Sequence, residues 1–325
     1  MSTSLLTPTL DDVMAARATI APHLPATPLV RSLKLSERLG CDYYIKCESL
    51  QPVGAFKVRG GINLAAGLSA REREAGLIAA STGNHGQSVA YAGRLAGVRV
   101  VIYVPAVGAN PLKVAAMERL GAEVRHHGRD FDEAREECER EAERQGYRYV
   151  HSANEPLHLA GVATVALEIL EQLPEPDVVL VPVGGGSGAS GQGLVLRELS
   201  PATRLIGVQS DAAPGVYQAW KSGSLEPCNH MATRHEGLAT RVPFALTLGL
   251  LRETLSDFVL VSDDAVDQAV RVLAEDAKLV AEGAGAAALA GAVALGDRIR
   301  GKKVVGVLSG GNIPLDRLAG TLAGS

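Results

Sequence analysis

Short runs of Val and Ile alternate along the chain with stretches whose apolar residues recur at helical spacing. The apolar runs fall at 43–47, 77–80, 98–104, 148–150, 178–183, 205–208, 258–261 and 304–308. Helical spacing predicts helices over 84–96, 111–120, 130–145, 157–172 and 263–277. Runs that are apolar throughout mark strands buried on both faces, and strands separated by helices pair in parallel. The pattern therefore predicts an α/β protein with open, mostly parallel twisted sheets flanked by helices. No internal repeat or low-complexity tail interrupts it. The charged segment DFDEAREECEREAERQ (130–145) reads as a solvated helix with one apolar edge and no functional role.

Composition adds limits. The 325 residues suffice for roughly two domains. Charged residues make up 21% with a net charge of −4, which gives no support for nucleic acid or membrane partners. The longest uncharged small-residue run, 283–296, is too short and too Ala-rich to span a bilayer. No signal segment opens the chain, and the four cysteines (Cys41, Cys47, Cys138, Cys228) lack CxxC spacing. Free thiols in a reducing cytosol, and no metal site, are expected. His23, His126, His127, His151, His158, His230 and His235 show no metal spacing either.

Ligands of parallel sheets sit at the carboxyl ends of strands. Three Gly-rich turns follow predicted strands directly: ASTGNHGQ (80–87), GGGSGASG (184–191) and LSGGN (308–312). The second runs from a strand into a helical pattern, so its backbone N–H groups suit a phosphate. It also contains GxGxxG as Gly186, Gly188 and Gly191, with Asp211 at the end of the next strand, so a nicotinamide oxidoreductase is a rival reading. A purely structural glycine turn is the plainer alternative. The first turn offers Ser81, Thr82, Asn84 and His85 at a helix start, suited to a carboxylate or equally to an ordinary cap. In the third, the Ser309 hydroxyl either meets a ligand or satisfies the turn. GDRIRGKK (296–303) imitates a phosphate loop but has Lys303 where Ser or Thr is required, and it precedes a strand.

Lys57 sits between Phe56 and Val58, just after a Gly-containing turn and at the start of an apolar helical pattern. Partial burial there lowers an amine's pKa and keeps it reactive. An amine, a phosphate cradle, a carboxylate cradle and a neutral hydroxyl are together what pyridoxal phosphate requires.

GAFKVRG, STGNHGQ, VPVGGGSG and LSGGN, in this order, resemble the threonine dehydratase and serine racemase group of pyridoxal-phosphate enzymes, which share the tryptophan-synthase-β-like fold. The resemblance runs from TPLVRS (27–32) to LSGGN. It implies that Lys57 forms the Schiff base with Phe56 packed beside it, and that Asn84 bonds the cofactor's ring hydroxyl. Gly184, Gly185, Gly186, Ser187 and Gly188 would hold the phosphate, Ser309 would face the pyridine nitrogen, and Glu282 would lie near the ring. Ser81, Thr82, Asn84 and His85 would line the substrate-carboxylate site, with Lys57, Ser81 and Thr82 as the catalytic set.

The chain departs from the group in three places. Thr82 replaces a serine that serves racemisation, Ser187 replaces a fourth glycine and offers the phosphate a hydroxyl, and Gln209 and Gly215 replace a Glu and an Asp of a divalent-cation site. The implied layout is a small domain (76–152) inserted in a large one (1–75 and 153–325), assembled as a homodimer or homotetramer. The implied reaction is α,β-elimination from L-threonine or L-serine to a 2-keto acid and ammonia. Amino-acid racemisation, 3-hydroxyaspartate dehydration and a non-catalytic binding role are the alternatives.

Overall fold

The computed structural model describes residues 6–324. Among the described residues, ten strands form two sheets. They are β1 (Leu29–Arg31), β2 (Asp42–Cys47), β3 (Leu77–Ala80), β4 (Val100–Val104), β5 (Glu123–His126), β6 (Arg148–Tyr149), β7 (Val178–Pro182), β8 (Arg204–Ser210), β9 (Asp257–Val261) and β10 (Lys303–Leu308). The six-stranded sheet has the order β1-β2-β10-β7-β8-β9, and the four-stranded sheet has the order β5-β4-β3-β6. Every pairing is parallel except β1 with β2. The α/β class and the mostly parallel sheets agree with the apolar pattern.

All eight apolar runs are strands, with ends moved by at most two residues. Two strands carry no apolar run. β1 is a three-residue antiparallel edge, and β5 (EVRH) is a half-exposed edge where one apolar residue suffices. The predicted helix over 263–277 is an α-helix only over Asp263–Val272. Leu273–Ala277 widens into a π-turn that ends on left-handed Lys278, with φ 59°. Asp276 in that turn is held by Arg38 and Lys34 at 3.3 and 3.6 Å, contacts that local periodicity does not encode.

Gly283–Leu295, the small-residue run, is a buried helix on the larger sheet. A Cβ at its Gly291 would lie 2.5 Å from Val208, so glycine permits the close approach. Among the described residues, no helix is long and apolar enough to cross a membrane.

Beneath the helix Val58–Ala66 lies a buried ionic cluster. Arg59 donates to both oxygens of Glu48 (2.7 and 2.8 Å) and both oxygens of Glu168 (2.7 and 2.8 Å). Lys46 donates to Glu168 at 2.6 Å, and Thr27 to Glu48 at 2.6 Å. Two cations face two anions, all buried, so the cluster is neutral. Burial opposes the charge on Glu168, yet Arg59 and Lys46 hold its carboxyl below the ordinary range.

Candidate active site

Topology brings the turns together. β10 lies between β2 and β7, so the segments leaving the carboxyl ends of these strands are neighbours. A bridge between Ala55 and Gly310, and the bond from Phe56 N to Ser309 O (3.0 Å), tie the segment carrying Lys57 to LSGGN. The Gly184–Gly188 turn leaves β7 beside them, and the turn at Ser81–His85 leaves β3 of the other sheet. The two sheets are joined by close helix packing. Ser88 donates to Lys57 O at 2.6 Å, and a Cβ on Gly61 would meet that same hydroxyl at 2.5 Å.

The result is one cavity of about 260 Å³. Every expected site residue lines it: Phe56 and Lys57, the turn Ser81, Thr82, Asn84 and His85, the glycine turn Gly184–Gly188 with Ser187, and Glu282 and Ser309. Asp211, the residue on which a dinucleotide reading depends, is exposed and outside this lining. Gly191 serves helix packing instead, its Cβ position lying 3.0 Å from Ala163 N and Leu159 O.

The glycine turn is a backbone cradle. Gly186 is left-handed (φ 89°) and precedes the helix Ser187–Leu199, whose start has no side-chain cap. The first N–H groups of such a helix have no intrahelical partner and attract an anion. A Cβ on Gly184 would strike Gly237 O at 2.2 Å, so no side chain fits between turn and loop.

The Lys57 Nζ donates to Ser152 O at 2.9 Å and to Ser187 Oγ at 2.8 Å, and it lies 5.5 Å from the Phe56 ring centre. Burial pushes its pKa down to about 8. About a tenth of the amine is then neutral at pH 7, far more than at the ordinary value of 10.5. Imine formation by cofactor-stripped protein should therefore rise with pH and level off near 8. A stopped-flow profile still climbing above pH 10 would contradict the buried setting.

The other groups are neutral or satisfied. Ser81 Oγ accepts from Gly83 N (3.2 Å) and Gly86 N (2.9 Å), so this hydroxyl satisfies two N–H groups at the start of the helix Asn84–Ala96, whose cap position is Gly83. His85 bonds Val150 O through Nε2 at 2.9 Å, and burial lowers its pKa to about 3, which keeps it uncharged. Glu282 accepts from Asn84 Nδ2 at 2.6 Å. Its pKa is pushed up to about 6 by burial, against the pull of Lys113 and Asn84. Asn312 Nδ2 donates to Asn84 Oδ1 (2.7 Å) and Val53 O (2.7 Å), which fixes the orientation of the Asn84 amide. Among the described residues, the Ser309 hydroxyl has no protein partner, and it is buried.

The lining residues that the sequence did not single out include Lys113, Phe131, Ser152, Glu236 and Thr240. Phe131, itself exposed, opens the helix read as solvated with one apolar edge, and it also lines the cavity. Lys113 pairs with Glu236 at 2.5 Å, both lining the cavity, and Asp132 with Arg241 at 2.8 Å, next in sequence to the lining residues Phe131 and Thr240. Lys113, Asp132 and Glu236 lie in the first turns of their helices, whereas Arg241 lies in a loop with no sequence signal. Gln209, at the expected cation-site position, accepts from Tyr217 N at 3.0 Å.

A reactive amine, an anion cradle and a neutral hydroxyl around one cavity on parallel sheets define a lysine-dependent cofactor enzyme. The chain belongs to the pyridoxal-phosphate dependent enzymes, whose family model matches residues 20–310. It is 39% identical over 311 residues to an L-threonine ammonia-lyase of Thermotoga maritima, covering 95% of this chain and 77% of that one. It is 36% identical over 321 residues to an L-threo-3-hydroxyaspartate ammonia-lyase of Saccharomyces cerevisiae, covering 98% of each. Its fold matches the processed threonine deaminase isoform 2 of Solanum lycopersicum with a TM-score of 0.90 at 30% identity, covering 99% and 98%. The uncapped glycine-lined helix start and the unpartnered Ser309 hydroxyl fit the cofactor's anionic tail and ring nitrogen.

Proposed function

We propose that the protein is an ammonia-lyase that removes the β-hydroxyl of a small L-hydroxy amino acid, threonine or serine, releasing a 2-keto acid and ammonia. The observation that carries this reading is the Lys57 amine, buried between Ser152 and Ser187 beside the uncapped helix start. Bound pyridoxal phosphate would supply the electron sink. Lys57 would hold it, and the same amine, once free, takes the Cα proton. The backbone N–H groups of Gly184–Gly188 and the first turn of Ser187–Leu199 would hold the anionic tail. Ser309 would offer the ring nitrogen a neutral hydroxyl in place of a carboxylate. The Ser81–His85 turn presents N–H groups to the substrate carboxylate. Positioned acid–base help of this kind contributes about 10²–10⁴-fold.

The two-domain division at 76–152 belongs to the same reading. Its support is that the cavity draws Ser81, Lys113 and Phe131 from one side and Lys57, Gly184 and Ser309 from the other. The Lys113–Glu236 and Asp132–Arg241 pairs would then latch closure over substrate and exclude water.

The test is keto-acid and ammonia release from a panel of L-threonine, L-serine, L-threo-3-hydroxyaspartate and D-serine. The expected result is 2-oxobutanoate from threonine or pyruvate from L-serine. Oxaloacetate from the hydroxyaspartate alone would move the assignment to the activity named for the yeast relative. Racemised amino acid without keto acid would replace the lyase by a racemase.

A further inference from the structure

The family fingerprint gives the glycine turn one task, to grip an anion, and Ser187 is the one side chain in Gly184–Gly188. Its hydroxyl has a more specific partner. Ser187 is buried and opens the helix Ser187–Leu199, yet its side chain makes no capping bond. Its bond is with Lys57 Nζ at 2.8 Å, and Ser152 O takes a second N–H of the same nitrogen at 2.9 Å. A backbone carbonyl only accepts, so that contact is fixed as a donation from the amine. A neutral amine has two N–H groups and one lone pair. With both N–H groups held, the lone pair has one direction left.

We infer that Ser187 is a positioning residue that, together with Ser152 O, aims the lone pair of Lys57 into the cavity toward an incoming aldehyde. This inference rests on the reading of Lys57 as the cofactor-bearing lysine. In the step it serves, the Nζ lone pair forms a C–N bond to the aldehyde carbon. The carbonyl oxygen leaves as water, taking up the two amine protons, and a C=N bond remains. Those two protons are the ones that Ser152 O and Ser187 Oγ hold. Pre-orientation of a nucleophile acts on the rate of this step, and small misplacements are costly. The hydroxyl's own proton stays available to an anion in the cradle, so the cradle and the amine are coupled through one side chain.

Pyridoxal, which carries the aldehyde but no phosphate, separates this role from anion binding. Full-length protein stripped with hydroxylamine is mixed with saturating pyridoxal, and the rise of absorbance near ~410 nm is timed. Ser187→Ala and Ser187→Gly, both with wild-type melting temperatures, should form this absorbance at least about tenfold more slowly, the factor expected for one lost orienting hydrogen bond. Two variants are used because alanine adds helix propensity and glycine removes it, while both lack the hydroxyl. Rates equal to or faster than wild type with pyridoxal would overturn the inference, because Ser187 would then serve only the phosphate or would mask the lone pair. Absence of the band in wild type, with pyridoxal and pyridoxal phosphate alike, would instead overturn the Lys57 reading on which it rests.

Discussion

Replacing Lys57 with alanine should remove the absorbance near ~410 nm and bring keto-acid release down by at least about 10²–10⁴-fold. The expectation follows from the two roles proposed for the amine, since the same nitrogen would hold the cofactor and take the Cα proton. No neighbour substitutes for it. Among the described residues lining the cavity, the other cationic side chain is Lys113, which is engaged by Glu236 at 2.5 Å. His85 stays uncharged but is turned onto Val150 O. Lys57→Arg should fail as completely, because a guanidinium keeps its proton at all working pH values and has no lone pair to offer. Absorbance near ~410 nm that survives dialysis of the alanine variant, together with turnover, would end the assignment.

Replacing Arg59 with leucine should lower stability by about 3–5 kcal/mol, the range for removing one partner of a buried ionic group. Two carboxylates lose their main counter-charge at once, since Arg59 takes both oxygens of Glu48 and both of Glu168. Lys46 alone remains for two anions, and it already contacts Glu168 at 2.6 Å. The pH dependence has a definite sign. Arg59 is the main group holding the Glu168 carboxyl down against burial, so without it burial raises the folded pKa of Glu168 above the unfolded value. Stability is then retained at low pH and lost as pH rises through the raised pKa. The deficit in denaturant midpoint should be smallest near pH 5 and largest near pH 8. A variant within about 1 kcal/mol of wild type across this range would show that the cluster does not anchor the helix. Arg59 sits two residues past Lys57, so the same variant should also release cofactor faster.

Much of the site was legible because its chemistry is written in short consecutive stretches. A phosphate cradle needs several small residues in a row after a strand, and GGGSG supplies them. A neutral hydroxyl at a strand end is Ser309, and an amine at a helix start is Lys57. Local sequence carries these because each depends on the backbone of its own turn. The supporting contacts were not legible. Asn312 orients Asn84 across 228 residues, and Arg59 reaches Glu168 across 109. Nothing in the pattern around either partner marks the other. β5 was hidden because an edge strand exposed on one face needs few apolar residues. Phe131 was hidden because the charge of its helix dominates the reading, while one side chain at the first turn is enough to reach a cavity.

By itself, the chain determined the α/β class, the parallel strands and the turns that line the cavity, because these follow from the period of apolar residues and from the special backbone demands of glycine. The tertiary structure decided which atoms face one another: that β10 lies between β2 and β7, that Ser187 meets the Lys57 amine, and that Arg59 neutralises two buried carboxylates. Strand order and pairwise contact arise from packing whole elements together. A local pattern specifies what an element must bury, and only the assembled fold specifies against what.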